Sequence, residues 1–219
     1  MPNFPSWAEC APDLIDTAAG RRPADLVITK ARLAKVHSRE ILEGWGIAVT
    51  RGRFAYVGPA PEGYIGTDTM HIDAEGQLLI PGLCDGHMHI ESGMLTPAEF
   101  ASAVIPHGTT TMFTDPHEIA NVMGLDGVRL MHDEALAQPV NIFTQMPSCA
   151  PSAPGLETTG HEITPEDVKT GMTWPGIIGL GEMMNFPGVA AGDAKMLAEM
   201  AATEAAGKVI GGHYASPEF

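Results

Sequence analysis

Basic residues are scarce in this chain of 219 residues. Twelve Lys+Arg stand against 27 Asp+Glu, a formal net charge of −15, and the sequence pI is about 4.8. Nucleic acid and anionic membrane surfaces need a basic patch, so neither is expected as a partner. Cysteine is also sparse, with only Cys10, Cys84 and Cys149. An odd number without a C-x-x-C pair excludes a disulfide framework and suits a reducing cytoplasm. All three read as buried small hydrophobes. No apolar run approaches the roughly 18 residues that a membrane-spanning helix needs. Met1 to Ala11 carries Pro2, Pro5 and Glu9 with no basic stretch ahead of an apolar core, so it does not read as a secretory signal. Signatures of other chemistries are missing too: there is no G-x-S-x-G, P-loop or G-x-G-x-x-G. His89-Ile90-Glu91 matches half of the cytidine-deaminase zinc signature, but the P-C-x-x-C half is absent, which excludes that fold.

What is present is a globular composition, 44% hydrophobic and 18% charged, in two textures. Trp7 to Ala18 can form a short amphipathic helix, ended by Gly20-Arg21-Arg22-Pro23, and residues 1–23 read as an N-terminal extension. Residues 24–80 read as β, part of a small β-sandwich. Runs at 46–50 and 54–58 flank Arg51-Gly52-Arg53, a hairpin pattern. His71-Ile72-Asp73-Ala74 and Leu78-Leu79-Ile80 flank Glu75-Gly76-Gln77 and read as a second hairpin.

From Pro81 to Phe219 the period changes. Strand-like runs at 83–89, 109–114, 140–145, 177–180 and 209–213 alternate with helical ones. Thr96-Pro97-Ala98-Glu99 and Thr164-Pro165-Glu166-Asp167 have the form of capping boxes. A further helix runs over Gly124–Gln138, and Asp193 caps another that Gly207 stops. Met196 and Met200 on the latter are at helix spacing, which supports a packing role. Such alternation predicts an α/β fold with parallel strands and crossover helices. A (β/α)8 TIM-type barrel needs eight units and about 250 residues, so about five strands predict an incomplete barrel. The close at Phe219, directly after a strand, reads as a truncation, and five strands with open edges predict poor solubility.

Polar residues gather at the strand ends, where parallel barrels keep their chemistry. The ends read Asp85-Gly86-His87-Met88-His89, Asp115-Pro116-His117-Glu118, Pro147-Ser148-Cys149, Gly181-Glu182 and Gly212-His213. His87 and His89, two apart on a strand, point to one side and can share a divalent ion. Glu182 after an apolar strand is costly to bury unless paired or metal-bound. His213 is a single strand-end imidazole, open to either a ligand or a structural reading. His117 and Glu118 are placed in a loop, available to contact substrate or to orient metal ligands, with Asp115 capping the turn. Glu91 and Ser148 are candidates for the same supporting roles. His37, His71, His107, His132 and His161 read as ordinary surface or core residues.

The run Leu79–Ser92, with its Pro-Gly-Leu-Cys-Asp-Gly-His-Met-His core, resembles the first-strand signature of the amidohydrolase superfamily. Within it, Thr114–Gly124, Pro147–Pro151, Gly181–Val189 and Gly212-His213 resemble the bacterial adenine deaminase family, in family order. The resemblance implies a (β/α)8 barrel beside a β-sandwich, with a two-metal centre of Mn or Fe, or of Zn. By motif match His87 and His89 hold the first ion, Glu182 bridges, and His213 binds the second. It further implies hydrolytic deamination of a purine, adenine, to hypoxanthine in purine salvage, in a cytoplasmic enzyme that forms a homo-oligomer at full length. The family's sixth-strand histidine and eighth-strand proton-transfer Asp have no counterpart in this chain. Two other readings stay open at this point: a superfamily cyclic-amide hydrolase or deacetylase, and a catalytically inactive fragment.

Overall fold

A computed structural model describes residues 5–215. The reading of Met1–Ala11 as no leader and the close at Phe219 fall partly or wholly outside those residues. The chain divides at Pro81/Gly82 into two compact units.

The first unit opens with α1 (Trp7–Ala18). Its cap is one that the sequence reading overlooked: Ser6 Oγ accepts from Glu9 N, and the Glu9 carboxylate returns to the Ser6 amide at 2.7 Å. Cys10, Leu14 and Thr17, at i, i+4 and i+7, form its buried face. Five strands follow: β1 (Leu26–Lys35), β2 (Glu40–Thr50), β3 (Arg53–Pro59), β4 (Met70–Asp73) and β5 (Leu78–Leu79). The order is β3-β2-β1-β4, with β5 also on β1. The β2–β3 hairpin forms where expected, its turn residues Arg51 and Gly52 both at positive φ. The expected hairpin at Glu75-Gly76-Gln77 does not form. Both β4 and β5 pair with β1 in parallel. The turn is a jog that follows an irregularity in β1 between Ile28 and Ala31, where Gly76 N donates to Lys30 O. A turn signal marks a change of direction, and here the chain resumes its course along the same neighbour.

The second unit carries β6 (Leu83–Met88), β7 (Thr109–Thr114), β8 (Asn141–Met146), β9 (Ile177–Met183) and β10 (Val209–Gly212). They lie in sequential order, every neighbouring pair parallel. Between them run α2 (Pro97–Val104), α3 (His117–Leu136), α4 (Pro165–Gly171), α5 (Phe186–Ala191) and α6 (Ala194–Ala205). Five sequential parallel strands with intervening helices are the incomplete (β/α) barrel that the alternation predicted. Ile142, Thr144 and Met146 on β8 are buried, and the helices complete two apolar clusters around Met146/Leu180 and around Met112/Ile142.

Three local expectations fail. His117 and Glu118 are not in a loop but open α3, which Gly124, at φ 60° and ψ −143°, breaks into two helical pieces. The Pro116–His117 junction hid the start, because nothing in its composition resembles a cap. The Thr96 box is not made: its hydroxyl donates instead to Glu134 Oε1 at 2.8 Å, whereas the Thr164/Asp167 box is complete. Cys84 is exposed, unlike Cys10 and Cys149, because β6 is the outermost strand of its sheet.

Candidate metal centre

The site forms at the C-terminal ends of the five parallel strands. His87 lies on β6 and His89 one residue past its end, so both rings emerge together, edge to face, with centroids 4.9 Å apart. Their Nε2 atoms are 3.2 Å apart. Glu182 comes from β9, which runs three residues further than expected, and its side chain is largely buried. Its Oε1 lies 2.8 Å from His89 Nε2 and 3.4 Å from His87 Nε2. Its Oε2 contacts His213 Nε2, just beyond β10. Three nitrogens from three chain positions therefore meet one carboxylate, two on one oxygen and one on the other.

That geometry passes a test for a divalent ion. Donors held about 2.0–2.2 Å from one centre sit roughly 2.8–3.6 Å apart, and the triangle of His87, His89 and Glu182 has edges of 3.2, 2.8 and 3.4 Å. A second group of donors, Asp115, His117 and Glu182, also lies within mutual reach. His117 Nε2 is buried without a hydrogen-bond partner among the described residues, and Asp115 Oδ1, His117 Nδ1 and His89 Nδ1 are buried with ion-pair contacts but no hydrogen bond of good geometry. Orphaned buried polar atoms of this kind mark a place where an ion or water belongs.

Without an ion, the electrostatics favour the charged forms of Glu182 and His89. Burial alone would raise the Glu182 carboxyl, but His213, His87 and His89 outweigh it and hold its pKa below the usual value. Burial disfavours protonation of His89, yet Glu118, Asp115 and Glu182 overcome this and raise its pKa. Glu118 Oε2 is 3.2 Å from His89 Nδ1, and Ser92 donates to its Oε1 at 2.5 Å. Burial works against the ionised form of Glu118 as well, but the Ser92 hydroxyl and its own amide at the start of α3 keep its pKa low. Glu91, mostly desolvated and facing Glu118, is pushed up to about 7. Its Oε1 accepts from Ile119 N at 3.4 Å.

His117 is buried at the start of α3, its ring 5.9 Å from that of His89. Ser148 is buried too; its hydroxyl donates to Glu182 O at 2.9 Å, so it braces the ligand strand from behind. Two contributors escaped the sequence reading. Gln145 lines a cleft of about 180 Å³ with His87, Glu182 and His213. Asp115, read as a turn cap, is fully buried at the centre of the site. The D-P-H-E run flagged the neighbourhood, but only the hydrogen bond from Glu182 N on β9 to Asp115 Oδ2 shows which residue is interior.

This fold and site define a barrel-type α/β protein whose strand ends gather donors that could hold a divalent ion. Residues 78–218 match the Amidohydrolase family, and the chain belongs to that family. At the level of single proteins it is 74% identical over 216 residues to a protein named adenine deaminase from Ruegeria sp. (strain TM1040). It is 51% identical over 217 residues to another so named from Moorella thermoacetica. Each alignment covers 99% of this chain and 36% of the relative, so the chain spans about a third of the length of the relatives it matches. Among solved structures, N-isopropylammelide isopropylaminohydrolase from Burkholderia multivorans aligns with a TM-score of 0.53 and 17% identity. It covers 83% of this chain and 50% of that one, a likeness of fold.

Proposed function

We propose that the whole protein is an adenine deaminase, converting adenine and water to hypoxanthine and ammonia. The carrying observation is the division of Glu182 between two sides: Oε1 faces His87 and His89, and Oε2 faces His213. A carboxylate shared in this way is suited to bridge two ions. His87 and His89 would hold one and His213 would contribute to the other. Mixed imidazole and carboxylate donors suit Mn, Fe or Zn. Such ions, when bound, supply a nucleophilic water at neutral pH and polarise the ring position to be attacked, C6 of the purine.

The chain's own residues do the rest. Glu118 faces Nδ1 of His89 and orients that ring, a common partner for a metal-binding histidine. Ser148 fixes the Glu182 backbone. Glu91, with a pKa near 7, can hold a proton beside the cleft. His117, Glu118 and Ser148 stand close enough to the ligands to shape the purine pocket. The carboxylate that carries the proton from water to ammonia is not assigned to any residue of this chain. Free thiols at Cys10, Cys84 and Cys149 agree with a cytoplasmic salvage enzyme. Among the described residues no helix is long and apolar enough to cross a membrane.

The test is ammonia release by the whole protein, reconstituted separately with Mn, Fe and Zn, from adenine, a cyclic amide and an N-acetyl sugar. Turnover of adenine alone is expected. Turnover of a cyclic amide or an N-acetyl sugar without adenine would overturn the reading.

A further inference from the structure

Asp115 stands where three parts of the centre meet. Its amide donates to Met88 O at 3.0 Å, between His87 and His89 on β6. Its side chain, completely buried, accepts the Glu182 amide on Oδ2 at 2.7 Å. Its Oδ1 lies 2.7 Å from His117 Nδ1. No Lys or Arg among the described residues pairs with this carboxylate. Burying a carboxylate with no Lys or Arg partner is costly, so a structure that keeps one there needs its acceptor oxygens.

Gly181 supplies a second, independent observation. A Cβ at Gly181 would fall 2.2 Å from Asp115 Oδ2 and 2.4 Å from Oδ1. The carboxylate therefore occupies the volume that any side chain at position 181 would fill. The residue before the bridging carboxylate is glycine because Asp115 must reach the amide that follows it.

We infer that Asp115 is the positioning residue of the metal centre, clamping the Glu182 backbone to the His87–His89 strand through a hydrogen bond that Gly181 leaves room for. The inference rests on the two-metal reading above and adds to it the element that sets the distance between its ligands. Oδ2 acts on the amide of the ligand and not on the ion, so acceptor capacity matters more than charge. Asp115→Asn keeps the shape and can present its carbonyl oxygen to Glu182 N and its amide to His117 Nδ1. Asp115→Ala removes the clamp, and Gly181→Ala drives the carboxylate out of it.

The experiment is titration of the whole protein with Mn²⁺, followed by calorimetry and by the spin-resonance spectrum of the bound ion, beside thermal melting without metal. Asp115→Ala and Gly181→Ala are expected to melt cooperatively, to bind Mn²⁺ about 10–100-fold more weakly, and to give an altered Mn²⁺ spectrum. Asp115→Asn is expected to stay within about threefold of wild type, since it retains the acceptor. Asp115→Ser, polar but too short to reach the amide, should behave as Asp115→Ala and guards against a variant that does not fold. Wild-type affinity in Asp115→Ala or Asp115→Ser overturns the inference. So does equal loss in Asp115→Asn and Asp115→Ala, which would make charge or direct ligation the cause, or metal loss that only follows loss of cooperative melting. A wild type that binds no Mn²⁺ fails differently: it removes the metal centre and the clamp with it.

Discussion

The two units bury their apolar residues in opposite styles. In the first, the buried cluster is small, Ala24, Val27 and Ala48 with Tyr56 and Tyr64 packed against it. Its sheet leaves Phe54 69% and Met70 63% exposed. In the second, helices close over the inner strands and form two clusters that include Ile142, Met146, Val168 and Leu180, each almost fully buried. There exposed apolar residues include Leu83 and Val209 on the outermost strands β6 and β10, and Met94 and Leu156 in the connections between elements. A βαβ unit covers its own strand with the next helix, whereas a sheet of hairpins has one such helix, α1, to share. The second unit, which buries the ionisable Asp115, His117, His132 and Glu199, is also the one that carries the site.

The sharpest way to break that contrast is to compare histidines. His87→Ala removes a corner of the donor triangle and is expected to weaken Mn²⁺ binding by more than about 100-fold, with adenine turnover lost in the whole protein. His71→Ala, whose ring meets Thr29 Oγ1 at 2.9 Å in the first unit, should leave both unchanged. Metal retention in the first variant, measured by calorimetry, would dissolve the assignment of the site to the second unit.

Next in size is packing. Met146→Ala, at a fully buried position, is expected to cost about 2–5 kcal/mol. Phe54→Ala, at a largely exposed one, should cost less than about 0.5–1 kcal/mol. Urea unfolding monitored by circular dichroism checks both, and similar losses would mean that the first sheet is better covered than its exposure shows.

Much of this was legible in the sequence because the second unit speaks in redundant signals. Alternating periods, Thr-Pro and Asp starts, and strand ends in His or Glu all point to the same fold, and His87, His89, Glu182 and His213 do converge. What escaped depends on partners remote in the chain. Asp115 looks like any Asp-Pro turn until its carboxylate is seen to reach the Glu182 amide on β9. Thr96 has the pattern of a cap, but Glu134 on α3 competes for its hydroxyl. The Glu75-Gly76-Gln77 turn has hairpin composition, and only the irregularity in β1 decides that β5 continues beside the same strand. The site was read from residue type, and its support could not be, since support is made of backbone contacts.

Burial in the second unit has a cost, which pH exposes. Glu199 on α6 is fully buried, and desolvation pushes its pKa up to about 7 from 4.5. Lys195, 3.1 Å from its Oε1, pulls the value down, while Glu162 and Asp193 push it up. An acid whose folded pKa is raised takes up a proton on folding, so its ionised form opposes the folded state. Stability from this source is complete below about 4.5 and falls as pH rises toward about 7. Glu199→Gln is therefore expected to be stabilising by on the order of 1–3 kcal/mol at pH 8 and close to neutral at pH 5. Chemical denaturation at the two pH values checks the sign. A larger gain at pH 5 would mean that Lys195 already stabilises the carboxylate.

The smallest effect separates two helix starts that look alike in sequence. At Thr164 the hydroxyl accepts from Asp167 N at 3.2 Å and the Asp167 carboxylate returns to the Thr164 amide at 2.9 Å. At Thr96, itself exposed, the side chain makes no cap bond and spends its hydroxyl on Glu134. Losing a cap strands donors of the first helical turn, at a cost of about 1 kcal/mol, whereas an exposed side-chain hydrogen bond to a solvated carboxylate is worth about half of that or less. Thr164→Ala should therefore lower the unfolding free energy about twice as much as Thr96→Ala. The two helices are similar in length and both open with proline at the first position, so propensity cancels in the comparison. Equal losses would mean that Thr96 caps α2 in solution and that its contact with α3 is the weaker of its two options.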